Sequence, residues 1–428
     1  MSLDRTQQPD IQDNINITLL SHKTIHLDNG IPVIAFDSGN EEVTKIALYF
    51  QAGSWMQEKY AVAPAAANLL NAGTKKYSSR QIAETIDYYG AFSGNSATKD
   101  IADVSLFSLN KHLSKLLPII EDIIKNPIYP DDEIEIYRDK RKQLINLKSN
   151  EVNYMAQTRF HKKLFGDNHP YGVYLKEKHL ENIQQSSLQE FHKKHYTSNN
   201  CYISVSGKIP EDLFSLLNKH FGQNDWGGKK IIATNNYPII SEKGHHHILM
   251  PGKVQSSYNI GKILFNRTHH DYPAMRVVNS IFGGYFGSRL MKNIRQEKGY
   301  TYGIQSDMVS MKNSGYFIIT ADTGIDVTDK AIKETYKELE KIRHELVSCD
   351  ELNLVKNQLL GTFLRMVDGS FAASEFFNTL YQLNLDEKYF YNFINTIKTI
   401  TPQQIRDLAQ KYLDPDTMLE VVAGDKQK

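Results

Sequence analysis

The sequence predicts an α/β (α+β) chain of two homologous domains, each a mainly antiparallel sheet backed by helices. Three observations carry that expectation. The chain has 428 residues, more than one hydrophobic core usually serves. Its apolar share of 40% and charged share of 23% are those of an ordinary globular protein. The closing segments of its two halves also repeat each other. Residues 187–207 (SLQEFHKKHYTSNNCYISVSG) read as a helix to Tyr196, a polar turn at Thr197–Asn200 and a strand closed by Gly207; residues 402–424 (PQQIRDLAQKYLDPDTMLEVVAG) repeat that order through Tyr412 and Asp414-Pro415-Asp416 to Gly424. The displacement is about half the chain, which a duplicated domain explains.

The first domain is placed at residues 15–222. Asp28-Asn29-Gly30 between Thr24–Leu27 and Ile31–Phe36 is a hairpin signal, with glycine supplying a positive φ. Val43–Phe50 reads as the next strand, and Ser187 with Glu190 reads as a capping box for the closing helix. Residues 222–247 are rich in Gly, Asn and Lys, so 223–245 is expected to be a linker into a second domain at 246–428. There, Val254–Leu264 and Tyr316–Ala321 read as strands. Ile332, Tyr336, Leu339, Ile342 and Leu346 form one stripe of a helix over 327–346. Ser348 and Glu351 cap a helix near 350–367, and Thr401, Pro402 and Gln404 suit the N-cap, N1 and N3 positions of the last one.

Composition excludes several function classes. A net charge of +1 gives no reason to expect nucleic acid or an anionic membrane as partner. The run Arg138-Asp139-Lys140-Arg141-Lys142 has the pattern of a solvated helix face. Cys201 and Cys349 are too few for a disulfide framework or a cysteine zinc site. The polar N-terminus shows no signal peptide and no segment could span a bilayer, so a soluble, cytoplasmic protein is expected. Phe282-Gly283-Gly284-Tyr285-Phe286-Gly287 lacks the Lys-Ser/Thr of a phosphate loop. His192 and His195 lie three apart on a helix without a third ligand beside them, so both are expected at the surface. His245-His246-His247 alternates faces and is expected in solvent, and His269-His270 shows no metal-binding partner.

One segment is more informative. Residues 52–79 (AGSWMQEKYAVAPAAANLLNAGTKKYSS) resemble the stretch that carries the inverted zinc motif H-x-x-E-H in the pitrilysin/insulinase family, which includes the mitochondrial processing peptidases. In that motif two histidines share a helix face and bind zinc, and the glutamate activates the zinc-bound water. Matching the family's Gly-Thr to Gly73-Thr74 puts the histidines at Pro64 and Asn68 and the glutamate at Ala67. The same register, anchored at His169-Pro170-Tyr171-Gly172, puts the third ligand at or next to Ile145. Pro, Ala and Ile offer no side-chain lone pair, and one carboxamide cannot hold zinc against water. The chain is therefore expected to bind no metal.

Residues 280–304 (SIFGGYFGSRLMKNIRQEKGYTYGI) resemble the family's segment ending in an Arg and a Tyr seven residues apart, here Arg295 and Tyr302. Arg289–Lys298 reads as a helix with Gly299 at C′ and Tyr302 opening a strand. The resemblance implies that this pair lies across a chamber from a zinc ion, where it grips a peptide carbonyl or stabilises an oxyanion. It covers about residues 20–425. It further implies a substrate-binding subunit of a heterodimeric zinc endopeptidase, with peptide as substrate and zinc held by a homologous H-x-x-E-H partner. In the family, peptide adds a strand to a sheet edge of the zinc-bearing chain, and the corresponding segment here is near Ser93–Ile101. The competing expectation is a scaffold subunit with no part in proteolysis.

Overall fold

A computed structural model describes residues 6, 16–228 and 237–425. The first half builds a six-stranded sheet from β1 (Lys23–His26), β2 (Pro32–Asp37), β3 (Val43–Phe50), β4 (Phe92–Ala97), β5 (Ala102–Leu109) and β6 (Cys201–Gly207). Its order is β1-β2-β6-β3-β5-β4, with β2 and β6 parallel and the other neighbours antiparallel. The second half builds a five-stranded sheet from β7 (Gly244–Leu249), β8 (Gln255–Leu264), β9 (Thr301–Ser310), β10 (Gly315–Gly324) and β11 (Leu419–Gly424). Its order is β7-β11-β8-β10-β9, with β7 and β11 parallel. Without β1 the two orders match strand for strand, which is the duplication expected from the closing segments.

Local chemistry explains the elements. Gly30, at φ +86°, donates its N–H to Leu27 O at 2.8 Å and closes the first hairpin. The helix Leu113–Lys125 buries Leu113, Leu116, Leu117, Ile120 and Ile124 at i, i+3, i+4 spacing and covers one face of the first sheet. Thr401 and Gln404 form a full capping box on Pro402–Tyr412, and Ser348 accepts from Glu351 N–H at the start of Cys349–Met366. Other expectations fail locally. The helix before β6 starts at Gln185, so Ser187 is a buried interior residue and caps nothing. Leu346 falls beyond the end of Thr328–His344 and stands exposed.

The remaining face of each sheet is covered by a helix from the other half. Val152–Phe165 lays Phe160, Leu164 and Phe165 on Tyr316, Ile318, Leu419 and Val421 of the second sheet. Reciprocally, Gly369–Gln382 packs Ala373 and Phe377 onto Ile34 and Phe36 of the first. Asn378 donates to Tyr49 Oη at 3.2 Å and to Ser204 Oγ at 3.1 Å. Burial of an aromatic ring such as Phe377 contributes about 2 to 3 kcal/mol, so neither sheet completes its core without the other half. Tyr237 of the segment before β7 joins the cluster around Trp55. Ser241 N–H donates to Leu164 O at 2.9 Å, so the part of 223–245 nearest β7 is packed down; residues 229–236 lie outside the described residues.

Two polar ties cross the same seam. Asp100, at the β4–β5 turn, accepts from Tyr171 Oη at 2.5 Å and from Lys312 N–H, at the β9–β10 turn, at 3.0 Å. His161 lies between Gln157 O, Tyr174 Oη and Tyr316 Oη, each at 2.8 Å. A backbone carbonyl can only accept, so Nδ1 carries the proton and Nε2 accepts from Tyr316. Burial holds the imidazole pKa down at about 4, from an ordinary 6.5.

Candidate functional site

Three of the four positions that the resemblance assigns to the zinc site sit in the short helix Val62–Asn68, whose Val62, Ala63, Ala65, Ala66 and Ala67 are buried. Ala67 is fully buried, Pro64 is half-buried and Asn68 is exposed. Ala67 O accepts from Asn95 Nδ2 at 2.8 Å, and Asn68 Nδ2 donates back to Pro64 O at 2.7 Å. Ile145, on the helix Asp131–Lys148, packs half-buried against the first core. One amide, already bonded within its own helix, is the only polar side chain of the four. These residues do not fit a zinc ion.

The segment around Arg295 is built differently. Met291–Glu297 is a π-helix, where an ordinary α-helical turn was expected; Lys298 N–H reaches Asn293 O at 3.1 Å, and such wide turns often sit at functional sites. It is pinned from both sides. Asn293 Nδ2 donates to the buried Glu338 at 2.7 Å, and Arg289 makes a bidentate pair with Glu351 at 2.9 and 2.8 Å. Gly299 takes φ +65° and turns the chain into β9, as expected of a C′ glycine. Arg295 itself forms no ion pair among the described residues, and Glu297 does not engage it. Its guanidinium carbon lies 4.8 Å from the centre of the Phe286 ring. Phe286 is 63% exposed, and Tyr302, the second residue of β9, is 92% exposed.

Phe286 also forms the lip of an open cleft of about 920 Å³ over the second sheet. Asn153 and Gln157 of the exchanged helix form one wall, and Asn259, Gln305 and Asp322 lie in its floor. Sequence reasoning missed this cleft, because residues from 153 to 322 build it and only the exchanged helix brings them together. Its lining mixes amides and hydroxyls with Asp322 and the ion-paired Arg276 and Asp307, a set of donors and acceptors that a peptide backbone could meet.

The corresponding outer strands of the two sheets, β4 and β9, differ as docking edges. On β9, Ser306 N–H donates to Gly283 O at 3.0 Å, and Asn279 Nδ2 donates to Ser306 O at 3.1 Å, so the middle of that edge is capped. The outer edge of β4, which contains Ser93–Ala97 of the expected segment, makes no backbone hydrogen bond to a further segment among the described residues.

The histidines depart from expectation. His192 and His195 are buried rather than exposed; His192 Nε2 meets Ile124 O at 2.7 Å and its ring stacks on Tyr196. Burial lowers both imidazoles to about 4. They pack the closing helix, which periodicity alone could not separate from a solvated face. On β7, His245 and His247 are exposed and His246 is half-buried, in ion-pair range of Glu242 at 3.7 Å. His269 and His270 do have a neighbour, since ligand atoms of both lie within 4.8 Å of one on Asp271. That carboxylate is taken by Lys411 at 3.0 Å and Tyr412 at 2.6 Å, and His269 Nδ1 accepts the Asp271 amide. The cluster is a satisfied polar junction.

Two family profiles match this chain: "Insulinase (Peptidase family M16)" over residues 33–172 and "Peptidase M16 inactive domain" over residues 182–359. Together they span most of it. The chain belongs to the peptidase M16 family. Among curated M16 relatives, an uncharacterized zinc protease of Rickettsia felis is 26% identical, over 83% of this chain and 84% of the relative. A Helicobacter pylori protein called non-peptidase homolog YmxG is 21% identical over 97% and 96%. The crystal structure of a peptidase M16 inactive domain from Pseudomonas fluorescens superposes with a TM-score of 0.85 at 24% identity, over 96% of this chain and all of that one. This last likeness shows the M16 fold alone. Among the described residues no helix is long and apolar enough to cross a membrane.

Proposed function

We propose that this chain is the non-catalytic, substrate-binding half of a two-chain zinc endopeptidase. A homologous H-x-x-E-H chain would supply the zinc, and Arg295 and Tyr302 would reach the peptide opposite it. One observation carries the reading. The positions to which the resemblance assigns the zinc ligands are filled by Pro64, Asn68 and Ile145, and that of the catalytic glutamate by the buried Ala67, a set that offers one amide and no metal-binding group, while Arg295 stands on a pinned turn and forms no ion pair among the described residues. A guanidinium left unpaired beside an open cleft is free to meet a carbonyl or an oxyanion. The open cleft and the free β4 edge are the surfaces where extended peptide would lie.

The test is reconstitution. The purified chain with added zinc should cleave no peptide and retain no stoichiometric metal by atomic absorption. Mixing it with an H-x-x-E-H partner should give activity, and Arg295→Ala should lower kcat/KM on the order of 10²-fold. Cleavage by the isolated chain, or an unchanged rate with Arg295→Ala, would refute it. A scaffold role is the second reading, favoured by the near full-length match to a relative called a non-peptidase homolog. It requires that Arg295 and Tyr302 be replaceable without consequence in any complex.

A further inference from the structure

The structure assigns a positioning role to a residue outside the Arg/Tyr pair. We propose that Phe286 is the shelf that fixes the Arg295 guanidinium at the mouth of the cleft. The inference rests on Arg295 acting on bound peptide, and it adds the residue that aims it. An arginine side chain with no ion pair keeps most of its rotamer freedom. A group meant to meet charge developing in a transition state must be held before that charge appears. A carboxylate that held it would also neutralise it. Here the holding group is a neutral ring.

The geometry suits this. The guanidinium carbon lies 4.8 Å from the Phe286 centroid, within the roughly 6 Å range of a cation–π contact. A face contact leaves the N–H edges of the guanidinium free, whereas a carboxylate would occupy two of them. The ring is itself 63% exposed, so burial does not account for its place. Its backbone is set by the close-packed glycines before it. A Cβ on Gly283 would meet Ser306 Oγ at 2.5 Å, and one on Gly284 would meet Ser280 Cα at 2.8 Å. The loop therefore lies tight against the end of the helix Tyr272–Phe282 and the middle of β9, and it delivers Phe286 both to Arg295 and to the lip of the cleft. The same ring thus joins the cleft to the arginine.

The experiment uses the full chain in two arms. In complex with its H-x-x-E-H partner, Phe286→Leu should lower kcat/KM by about 2- to 5-fold, as loss of an exposed cation–π contact implies. The loss should fall on kcat, while Phe286→Tyr and Phe286→Trp stay at the wild-type rate. Phe286→Leu should cost nothing further in an Arg295→Ala background, whereas a merely structural role would cost the same in both. In the isolated chain, labelled at arginine side chains, the Arg295 Hε resonance should lie upfield in wild type and the Tyr and Trp variants, through the ring current. It should return to the random-coil position in Phe286→Leu. An unmoved resonance, or equal losses in both backgrounds, overturns the proposal. If Arg295→Ala proves as fast as wild type, the reading of Arg295 itself falls, and the resonance alone decides the stacking.

Discussion

Replacing His161 with leucine should destabilise the protein at neutral pH and have almost no effect near pH 4.5. At pH 7.5 the imidazole is neutral in both the folded and unfolded states. Leucine then removes the acceptor of the Tyr316 hydroxyl, a 2.8 Å bond across the seam. Tyr316 is buried, so orphaning its hydroxyl costs about 1 to 3 kcal/mol. Tyr174 is half-buried and can turn toward water. On acidification the wild type suffers a loss that the variant escapes. The folded His161 pKa is about 4, against an ordinary 6.5, so between those values the unfolded chain binds a proton that the folded chain refuses. Stability therefore falls as pH drops below 6.5, and by pH 4.5 this one group accounts for roughly 2 to 3 kcal/mol. That offsets what leucine cost. The other buried histidines titrate in both proteins and cancel in the difference. Urea unfolding of wild type and His161→Leu at pH 7.5 and 4.5 measures it. The same free-energy gap at both values would show that the imidazole is not held neutral between the halves.

Two further outcomes follow from the packing. Phe377→Ala empties the site where the exchanged helix meets Ile34 and Phe36; it should cost about 3 to 5 kcal/mol, read as a lower urea midpoint with both halves still unfolding together. Gly283→Ala drives a Cβ to within 2.7 Å of the Ser306 amide nitrogen, so it should cost on the order of 1 to 3 kcal/mol as overpacking. Its Ser306 amide should lose hydrogen-exchange protection, because the Gly283 carbonyl that accepts from it is displaced. Wild-type protection there would mean the loop moves freely.

The strands, the duplication and most helix starts were legible because they are local. Asp28-Asn29-Gly30, Thr401-Pro402 with Gln404, and Ser348 with Glu351 specify their turns and caps within four residues. The exchange of helices was not legible. Val152–Phe165 has the apolar pattern of any core helix, and nothing in it says which sheet it will cover. His192 and His195 were misplaced for a related reason, since a histidine buried against a distant segment, as His192 is on the Ile124 carbonyl, looks in sequence like one in water. The cleft, Phe286 and the cap on β9 depend on pairs such as Gly283 with Ser306. The π-helical turn is tied by Asn293 to Glu338, 45 residues away, a pairing that local sequence does not reveal.

The two sides of the candidate site have opposite relations to stability. Pro64 stands third in its helix, where its missing N–H would have found no partner in any case. Ala67 is a strong helix former and is fully buried. Asn68 satisfies itself on Pro64 O, and Ile145 adds apolar contact to the core. Each of these residues improves packing or costs nothing, as expected where the only demand left on the segment is to fold. Arg295 and Tyr302 show the reverse. A mostly exposed tyrosine and an arginine with no ion pair among the described residues gain little from where they are, yet Asn293–Glu338 and Arg289–Glu351 hold their turn in an unusual helical form. Side chains that give little to folding yet sit on an elaborately held turn mark the place where local rules are expected to yield to a functional demand, and replacing Arg295 and Tyr302 in the reconstituted complex tests that demand directly.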